Sequence, residues 1–195
     1  MSLKGTETLK NLMKAFAGES QARNRYTFYA SVAKKEGFEQ ISAIFKETAD
    51  NEKEHAEVFF KHIIEGLDEL PDKLPVDAEY PVDLRGTYEN LIAAAAGENE
   101  EWTELYPNFA DKAEEEGFKD IANSFRQITK VEEKHEERYL KLAENVKNNR
   151  VFEREEKVLW KCRNCGYILE AKTPPEICPA CKHPKAYFEI FVENY

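Results

Sequence analysis

The sequence predicts an all-α four-helix bundle with one long crossover, followed by a small C-terminal metal domain of short β-strands and cysteine knuckles. Two long segments, 6–66 and 87–148, have helical periodicity, and a proline-containing stretch without such periodicity separates them. All four cysteines lie in the last 34 residues, where they form two C-x-x-C pairs. We therefore expect a helical domain at 1–148 and a four-cysteine domain at 149–195.

Each helical segment is divided once by a Gly-Phe pair, which predicts a tight turn between two helices. The pairs are Gly37-Phe38 and Gly117-Phe118, and glycine just past a helix end adopts the left-handed conformation at little cost. Two helical hairpins therefore give four helices. The stretch 67–86 connects them. About 20 extended residues span roughly 60 Å, whereas a helix of about 28 residues is roughly 42 Å long, so this connection can run the length of the bundle.

The two hairpins are internal repeats, and one irregularity between them predicts a bulge. Most equivalent positions are 80 residues apart, as for Tyr26 and Tyr106, but Glu19 and Glu98 are 79 apart. One extra residue inside a helix is the sequence pattern of a single-turn π-bulge. Pro107 agrees, because a proline inside a helix disturbs the hydrogen-bond ladder before it. We expect the bulge between Glu98 and Tyr106.

Glutamates and histidines lie on the helix faces that should be buried. The apolar seam of the second and fourth helices, with steps of three and four, passes through a Glu-x-x-His pair in each. Glutamates also lie on the seams of the first and third helices. At about 1.5 Å per residue, measured from the turns, all of them fall within roughly 6 Å of one level. The predicted metal ligands are Glu19, Glu52, His55, Glu98, Glu101, Glu132 and His135.

Such a layer needs cations. Burying five carboxylates and two imidazoles without compensation is very costly, and carboxylate-rich sites with one histidine per metal suit iron or manganese. The arrangement is that of di-iron carboxylate bundles, in which one Glu from each of two helices joins two Glu-x-x-His pairs. A solvated surface position would explain any single glutamate of this acidic chain. It does not explain two Glu-x-x-His pairs at equivalent repeat positions.

Four further side chains near this layer carry separate expectations. Glu101 has no counterpart in the first hairpin, so as a ligand it would reach one metal only and make the two metals unequal. His62 lies on a seam, but its repeat partner is Leu142, which favours a bundle-end histidine over a ligand. Tyr26 and Tyr106 lie one to two turns from the glutamates. We expect their hydroxyls to hydrogen-bond ligand carboxylates rather than to serve only as core aromatics.

The cysteine pairs predict a second metal site. Cys162-x-x-Cys165 and Cys178-x-x-Cys181 are separated by 12 residues and can present four thiolates to one tetrahedral metal. The first 14 residues are charged and have no apolar signal core, and no apolar run approaches the roughly 20 residues of a membrane span. We expect a cytoplasmic protein, in which cysteines favour metal over disulfides. The spacing leaves iron, a one-electron carrier, and zinc, an inert staple, both open.

Charge excludes two classes of partner. The net charge is -10 and 34 % of the residues are charged. A strongly acidic surface argues against nucleic acid and against anionic membranes as partners. It is compatible with a protein that handles cations or small neutral molecules.

These motifs together resemble the rubrerythrin family over essentially the whole chain. That resemblance implies a ferritin-like di-iron bundle and a C-terminal rubredoxin-like iron domain, with the ligands named above. The insert between the cysteine pairs is shorter than in free rubredoxins, and Lys182 stands where those proteins usually have glycine. The motifs are Ala17-Gly18-Glu19, Glu52-x-x-His55, Ala96-Gly97-Glu98-x-x-Glu101, Tyr106-Pro107, Glu132-x-x-His135 and the two C-x-x-C pairs.

The same resemblance implies a function. It implies reduction of hydrogen peroxide to water at the di-iron site and protection against oxidative stress. Electrons would pass through the rubredoxin-like iron from reduced rubredoxin or an NAD(P)H-dependent reductase. In the family the residues matching His55 and Glu101 alternate as ligands of one iron, and subunits commonly pair head-to-tail, so we expect at least a homodimer. Two alternatives are a ferroxidase or iron-handling protein, and a non-enzymatic metal-binding protein with a zinc ribbon.

Overall fold

The predicted bundle is confirmed by the computed structural model, which describes residues 2–194. A π-helical turn, Glu101–Leu105, joins α3 to α4 without a break, so these three pieces form the third long helix. In the described part of the chain, no helix is both long and apolar enough to cross a membrane. The helices are α1 (Glu7–Lys35), α2 (Glu39–Gly66), α3 (Thr87–Glu100), α4 (Tyr106–Glu115) and α5 (Lys119–Lys147).

The turns within the two hairpins form as the glycines predict. Gly37 has a φ of +85° and Gly117 a φ of +89°, the left-handed conformation that ends α1 and α4. At the start of α1, the Thr6 hydroxyl accepts a hydrogen bond from the Leu9 amide at 3.1 Å, and Lys35 at its end suits the negative end of the helix dipole.

Each hairpin also caps the first helix of the other. The Glu116 carboxylate, in the α4–α5 turn, accepts hydrogen bonds from the backbone amides of Glu7 and Thr8 at 3.1 and 2.8 Å. Glu36, at the equivalent position of the α1–α2 turn, accepts from the Thr87 amide at 3.0 Å. Carboxylates satisfy the free amides of a helix start and complement its dipole. The internal repeat is therefore also present in the hydrogen bonds that join the two hairpins.

Two apolar clusters occupy the two ends of the bundle core. On α1, Leu9 and Leu12 belong to one cluster, whereas Tyr26 and Tyr29 belong to the other. Glu19 lies between them, and α2 and α5 show the same division. The polar layer is consequently enclosed by packed side chains above and below, which excludes water from both ends.

The crossover, residues 67–86, follows α1. Its polar anchors are side chains that bond backbone carbonyls: the Tyr80 hydroxyl donates to the Lys14 carbonyl at 2.9 Å, and the Tyr29 hydroxyl donates to the Asp83 carbonyl at 3.1 Å. The crossover has no helix or strand of its own. Its path is therefore fixed by these contacts.

The C-terminal part is a three-stranded antiparallel sheet in the order β2-β1-β3. Its strands are β1 (Val158–Cys162), β2 (Ile168–Ala171) and β3 (Phe188–Ile190), which agrees with the short β-strands that the sequence predicts for this domain. Trp160 and Phe188 form its core with Cys162 and Cys178. The position of the domain boundary after residue 148 stays a prediction.

The reciprocal caps give a first prediction. Replacing Glu116 with alanine should lower the free energy of unfolding by about 1 kcal/mol, because two backbone amides of α1 lose their acceptor. For a chain of this size that corresponds to roughly 2–4 °C in the midpoint of thermal unfolding, measured by circular dichroism. The control is Glu115→Ala, since Glu115 is exposed and, within residues 2–194, its carboxylate pairs only with Lys112 on the same helix. Equal losses in the two variants would contradict the capping role.

Candidate metal centres

The predicted ligands from four helices meet in one buried layer. The carboxylates of Glu19, Glu52, Glu98 and Glu132 are at most 1 % exposed. Their oxygens and the imidazole nitrogens form two groups, and the ligand atoms within each group lie within 4.8 Å of one another. Glu52 and Glu132 belong to both groups, as carboxylates that bridge two metals must. The first group is Glu19, Glu52, His55 and Glu132, and the second is Glu52, Glu98, Glu132 and His135.

Distances within the layer fit metal coordination. Nδ1 of His55 lies 2.9 Å from an oxygen of Glu52 and 2.9 Å from one of Glu132. Nδ1 of His135 lies 2.8 Å from Glu132 and 3.3 Å from Glu52. Ligand atoms at right angles, with metal bonds of about 2.1 Å, are about 3.0 Å apart.

Most of these nitrogen and oxygen atoms lack a hydrogen-bond partner among the described residues. Among the described residues, neither Nδ1 atom makes a hydrogen bond of good geometry, despite the short distances, and six buried carboxylate oxygens of the layer also lack a partner. Unpaired buried groups of this kind are very costly. These nitrogen and oxygen atoms surround shared space without hydrogen-bonding to each other. Two metal ions would fit in that space.

Two tyrosines fix the carboxylates that do not bridge. The Tyr106 hydroxyl donates to Oε1 of Glu19 and the Tyr26 hydroxyl donates to Oε1 of Glu98, both at 2.6 Å. In each glutamate the other oxygen, Oε2, is the one without a partner. Each tyrosine therefore occupies one oxygen and leaves the second for a metal. The hydrogen bonds expected from the sequence are present, and they cross from one hairpin to the other.

The π-helical turn is confirmed within the predicted stretch, but it leaves Glu101 outside both groups. Glu101 is the first residue of the turn, and its carboxylate is not among the ligand atoms that converge in the described structure. Its assignment as a ligand stays a prediction. Trp102 Nε1 and Asn99 Nδ2 both donate to the Glu136 carboxylate, which ties the turn to α5. The sequence did not predict these hydrogen bonds to Glu136, although the extra residue of the second hairpin lies in the same stretch.

His62 lies apart from the layer. Its Nε2 is 2.8 Å from Oγ of Ser124, and it belongs to neither group of ligand atoms. This agrees with the interpretation of His62 as a histidine near the end of the bundle.

Electrostatics show how strongly the layer depends on positive charge. Burial, followed by the charges of neighbouring carboxylates, raises the pKa of Glu19 and of Glu98 well above the ordinary range. Burial lowers the pKa of His55 and His135, but contacts with Glu132 and Glu52 outweigh it and raise these values to about 10 and about 9. Without cations, the layer holds protons. Bound metal ions would replace them and keep the carboxylates ionised and the imidazoles neutral.

The four thiols converge in the C-terminal domain. Sγ of Cys162 lies 3.7 Å from Sγ of Cys181, and Sγ of Cys165 lies 3.8 Å from Sγ of Cys178. A tetrahedral metal with bonds of about 2.3 Å separates its sulfurs by about 3.8 Å. A backbone hydrogen bond from His183 is the main cause that lowers the pKa of Cys181 to about 6. The geometry fits one metal ion held by four thiolates.

Fold and sites together define a ferritin-like bundle with a di-iron carboxylate site, joined to a rubredoxin-like four-cysteine cluster. The family model described as "Rubrerythrin" matches residues 10–143, and the one described as "Rubrerythrin, rubredoxin-like domain" matches residues 160–189. The chain belongs to the rubrerythrin family. Membership supports an iron-based function in oxidative stress, of the peroxidase or oxidoreductase kind.

Individual relatives agree with this placement. The chain is 62 % identical to Rubrerythrin-1 of Clostridium acetobutylicum, over 100 % of this chain and 99 % of that protein. It is 59 % identical to a rubrerythrin of Porphyromonas gingivalis, over 100 % of this chain and 94 % of that one. Among solved structures, fully reduced, all-ferrous nigerythrin superposes with a TM-score of 0.64 at 31 % identity, covering 97 % of this chain and 92 % of that one.

Removing one tyrosine hydroxyl should weaken metal binding. For Tyr106→Phe we expect the affinity of the carboxylate site for Fe²⁺ or Co²⁺ to fall about 10- to 100-fold, because Glu19 loses the hydrogen bond that orients it. Competition with a chelator measures the affinity, and the absorption of the metal–thiolate site serves as an internal reference. Tyr88→Phe is the control, a half-buried tyrosine that packs against the core away from the layer. An unchanged affinity for Tyr106→Phe would contradict the orienting role.

Metal removal should reverse the pH dependence of stability. In metal-free protein the protonated His55 and His135 stabilise the fold fully below their unfolded pKa of 6.5, and this contribution is lost as pH rises through about 9 and 10. Glu19 and Glu98, with raised pKa values, act in the same direction, so the unfolding midpoint should fall from mildly acidic to alkaline pH. The iron-loaded protein should instead lose stability as pH falls, because protons compete with the metals. Thermal unfolding across this range measures both, and parallel curves would contradict the assignment.

Proposed function

We propose that this protein reduces hydrogen peroxide to water at its di-iron site, with electrons delivered through the rubredoxin-like centre. The observation that carries the proposal is the presence, in one chain, of a buried carboxylate–imidazole layer and a four-thiolate site. When bound, two ferrous ions supply the two electrons that, with two protons, convert one hydrogen peroxide into two waters. The first alternative, a ferroxidase, would not require an electron carrier such as the four-thiolate site. The second alternative, a non-enzymatic protein with a zinc ribbon, would not require the carboxylate layer.

The side chains of the layer hold and orient the reacting centre. Glu52 and Glu132, which belong to both groups of ligand atoms, would be shared by the two metals, His55 and His135 would each hold one metal, and Glu19 and Glu98 would complete the set. Tyrosine hydroxyls keep the last two carboxylates in place. Following the family resemblance, we place His55 and Glu101 as alternating ligands of one iron.

Glu101 is well placed to supply protons. It lies outside both ligand groups, and burial, followed by the charges of Glu132 and Glu52, raises its pKa well above the ordinary range. A carboxyl group with a raised pKa keeps its proton to higher pH than an ordinary glutamate and can donate it to a reacting oxygen. This supports the assignment of Glu101 as a proton donor whenever it is not a ligand.

Electron delivery favours a dimer. The four-cysteine domain contacts the bundle at the α1–α2 turn, where a Cβ at Gly37 would lie 3.8 Å from Ala186. Glu52 lies 15 residues after Gly37 on α2, a distance of roughly 22 Å along the helix. A head-to-tail homodimer would bring the thiolate centre of one subunit closer to the di-iron site of the other. Cys165 is exposed, which gives a reduced rubredoxin or an NAD(P)H-dependent reductase of the cytoplasm a place to donate electrons.

Two variants separate the two centres. Reduced, iron-loaded protein is mixed with hydrogen peroxide, and the returning absorption of the ferric–thiolate site is followed. Glu98→Ala should abolish peroxide-dependent reoxidation and keep the thiolate absorption, because the layer loses a ligand. Cys178→Ser should lose that absorption and stop turnover from an external donor, while peroxide still oxidises the di-iron site. Glu137→Ala, an exposed carboxylate on α5, is the control and should react as wild type.

The outcomes distinguish the proposal from its alternatives. Wild-type protein whose reduced thiolate iron ignores peroxide would refute peroxide reduction. Iron uptake far beyond the two sites would indicate an iron-handling protein. A colourless protein that binds zinc at the four cysteines would indicate the non-enzymatic alternative.

A further inference from the structure

A cavity of about 280 Å³ lies beside the metal layer, between α1, the crossover and the π-helical turn. The crossover residues 77–81 form its roof, and Gly18, Glu101 and Tyr106 form its floor. Gly18 directly precedes the ligand Glu19, to which Tyr106 is hydrogen-bonded. The cavity therefore reaches the residues that surround one side of the predicted iron site.

Gly18 lies where the lining of this cavity brings the Tyr80 ring and the Glu101 carboxylate close together. A Cβ atom built on Gly18 would lie 3.6 Å from Cε1 of Tyr80 and 3.9 Å from Oε1 of Glu101. The missing side chain thus leaves a gap about as wide as a methyl group between the roof and the Glu101 carboxylate. Gly18 is buried in the middle of α1, where glycine costs about 1 kcal/mol relative to alanine. An alanine would fit there by van der Waals contact alone, and it would fill the gap.

A hydrogen bond holds the roof residue Tyr80 against α1. The Tyr80 hydroxyl donates to the Lys14 carbonyl of α1, so the Tyr80 ring stays over Gly18 although the crossover has no regular structure around it. The two apolar clusters close the ends of the layer. A second cavity opens on the α1–α2 face, near Ser20, Ala56 and Phe60, but no predicted ligand lines it. The cavity under the crossover is lined by Glu101 and is the more direct route.

We infer that this cavity is the access route of the oxidant, and that Gly18 and Tyr80 set its size limit. The inference rests on the proposed reduction of peroxide. A methyl-sized gap passes a molecule as small as hydrogen peroxide and holds back one that carries a bulky alkyl group. The lining includes the cations Lys14 and Arg25 together with four carboxylates, which gives no preference for an anion. The selected substrate class is a small, neutral hydroperoxide.

The first test narrows the gap without weakening the fold. Gly18→Ala should slow the reaction of reduced, iron-loaded protein with hydrogen peroxide about ten-fold, which corresponds to about 1.4 kcal/mol of added barrier. The association rate of nitric oxide with the same reduced protein, which requires no turnover, should fall similarly. The unfolding midpoint should stay the same or rise, because alanine favours the helix. A merely structural defect would lower it.

The second test widens the gap. Tyr80→Ala should raise the rate with tert-butyl hydroperoxide about ten-fold relative to hydrogen peroxide, and Tyr80→Phe, which keeps the ring but loses the hydrogen bond that holds it, should raise that rate by less. Ser20→Leu adds bulk on the other side of Glu19 and should leave all rates unchanged.

The results separate this inference from the proposed function. Wild-type rates in Gly18→Ala, or slowing by Ser20→Leu instead, would overturn the access route even if wild-type protein reduces peroxide. A wild-type protein that ignores peroxide, but whose nitric oxide binding is slowed by Gly18→Ala, would overturn the proposed function and leave the route standing.

Discussion

The whole structure depends on the burial of like charges at one level of the bundle core. Four carboxylates that are almost fully enclosed lie within a few ångströms of each other, and only protons or metal cations can balance them. Packed apolar clusters on both sides keep water out and so strengthen every electrostatic interaction in the layer. Metal binding and folding are therefore coupled, because the cations that serve the chemistry also compensate the charges that the fold has buried.

The duplicated hairpin explains how this layer is built with few parts. Each repeat supplies a seam glutamate, a tyrosine and a Glu-x-x-His pair. The tyrosine and the turn carboxylate of each repeat hydrogen-bond to residues of the other repeat. Tyr26 holds Glu98 and Tyr106 holds Glu19, while the turn carboxylates cap the opposite hairpin. Because the partners are exchanged, neither hairpin completes its own site. The π-helical turn then breaks the symmetry, since it adds Glu101 on one side only.

Much of the fold and of the metal site was predictable because it follows from the spacing of residues along the sequence. Helical periodicity predicts the seams, glycines predict the turns, and the change of repeat offset from 80 to 79 predicts the π-helical turn. The position of Glu101 could not be obtained in this way, because the direction of a side chain on an irregular turn depends on its neighbours in space. The caps by Glu36 and Glu116 also escaped prediction, since they join helix ends that only tertiary packing brings together. The gap at Gly18 depends on the path of a crossover without periodicity.

Burial of the layer also explains why the chain needs both a second metal centre and an open path. If the protein works as proposed, a site closed by packed side chains is out of reach of a protein that donates electrons, and the four-cysteine domain, where Cys165 is exposed, would carry the electrons to it. A small oxidant needs a different opening, and the cavity at Gly18 lies on the crossover side of α1. Electrons and oxidant would then reach the irons by separate routes. With such a separation, the size limit at Gly18 restricts only the oxidant and leaves electron delivery untouched.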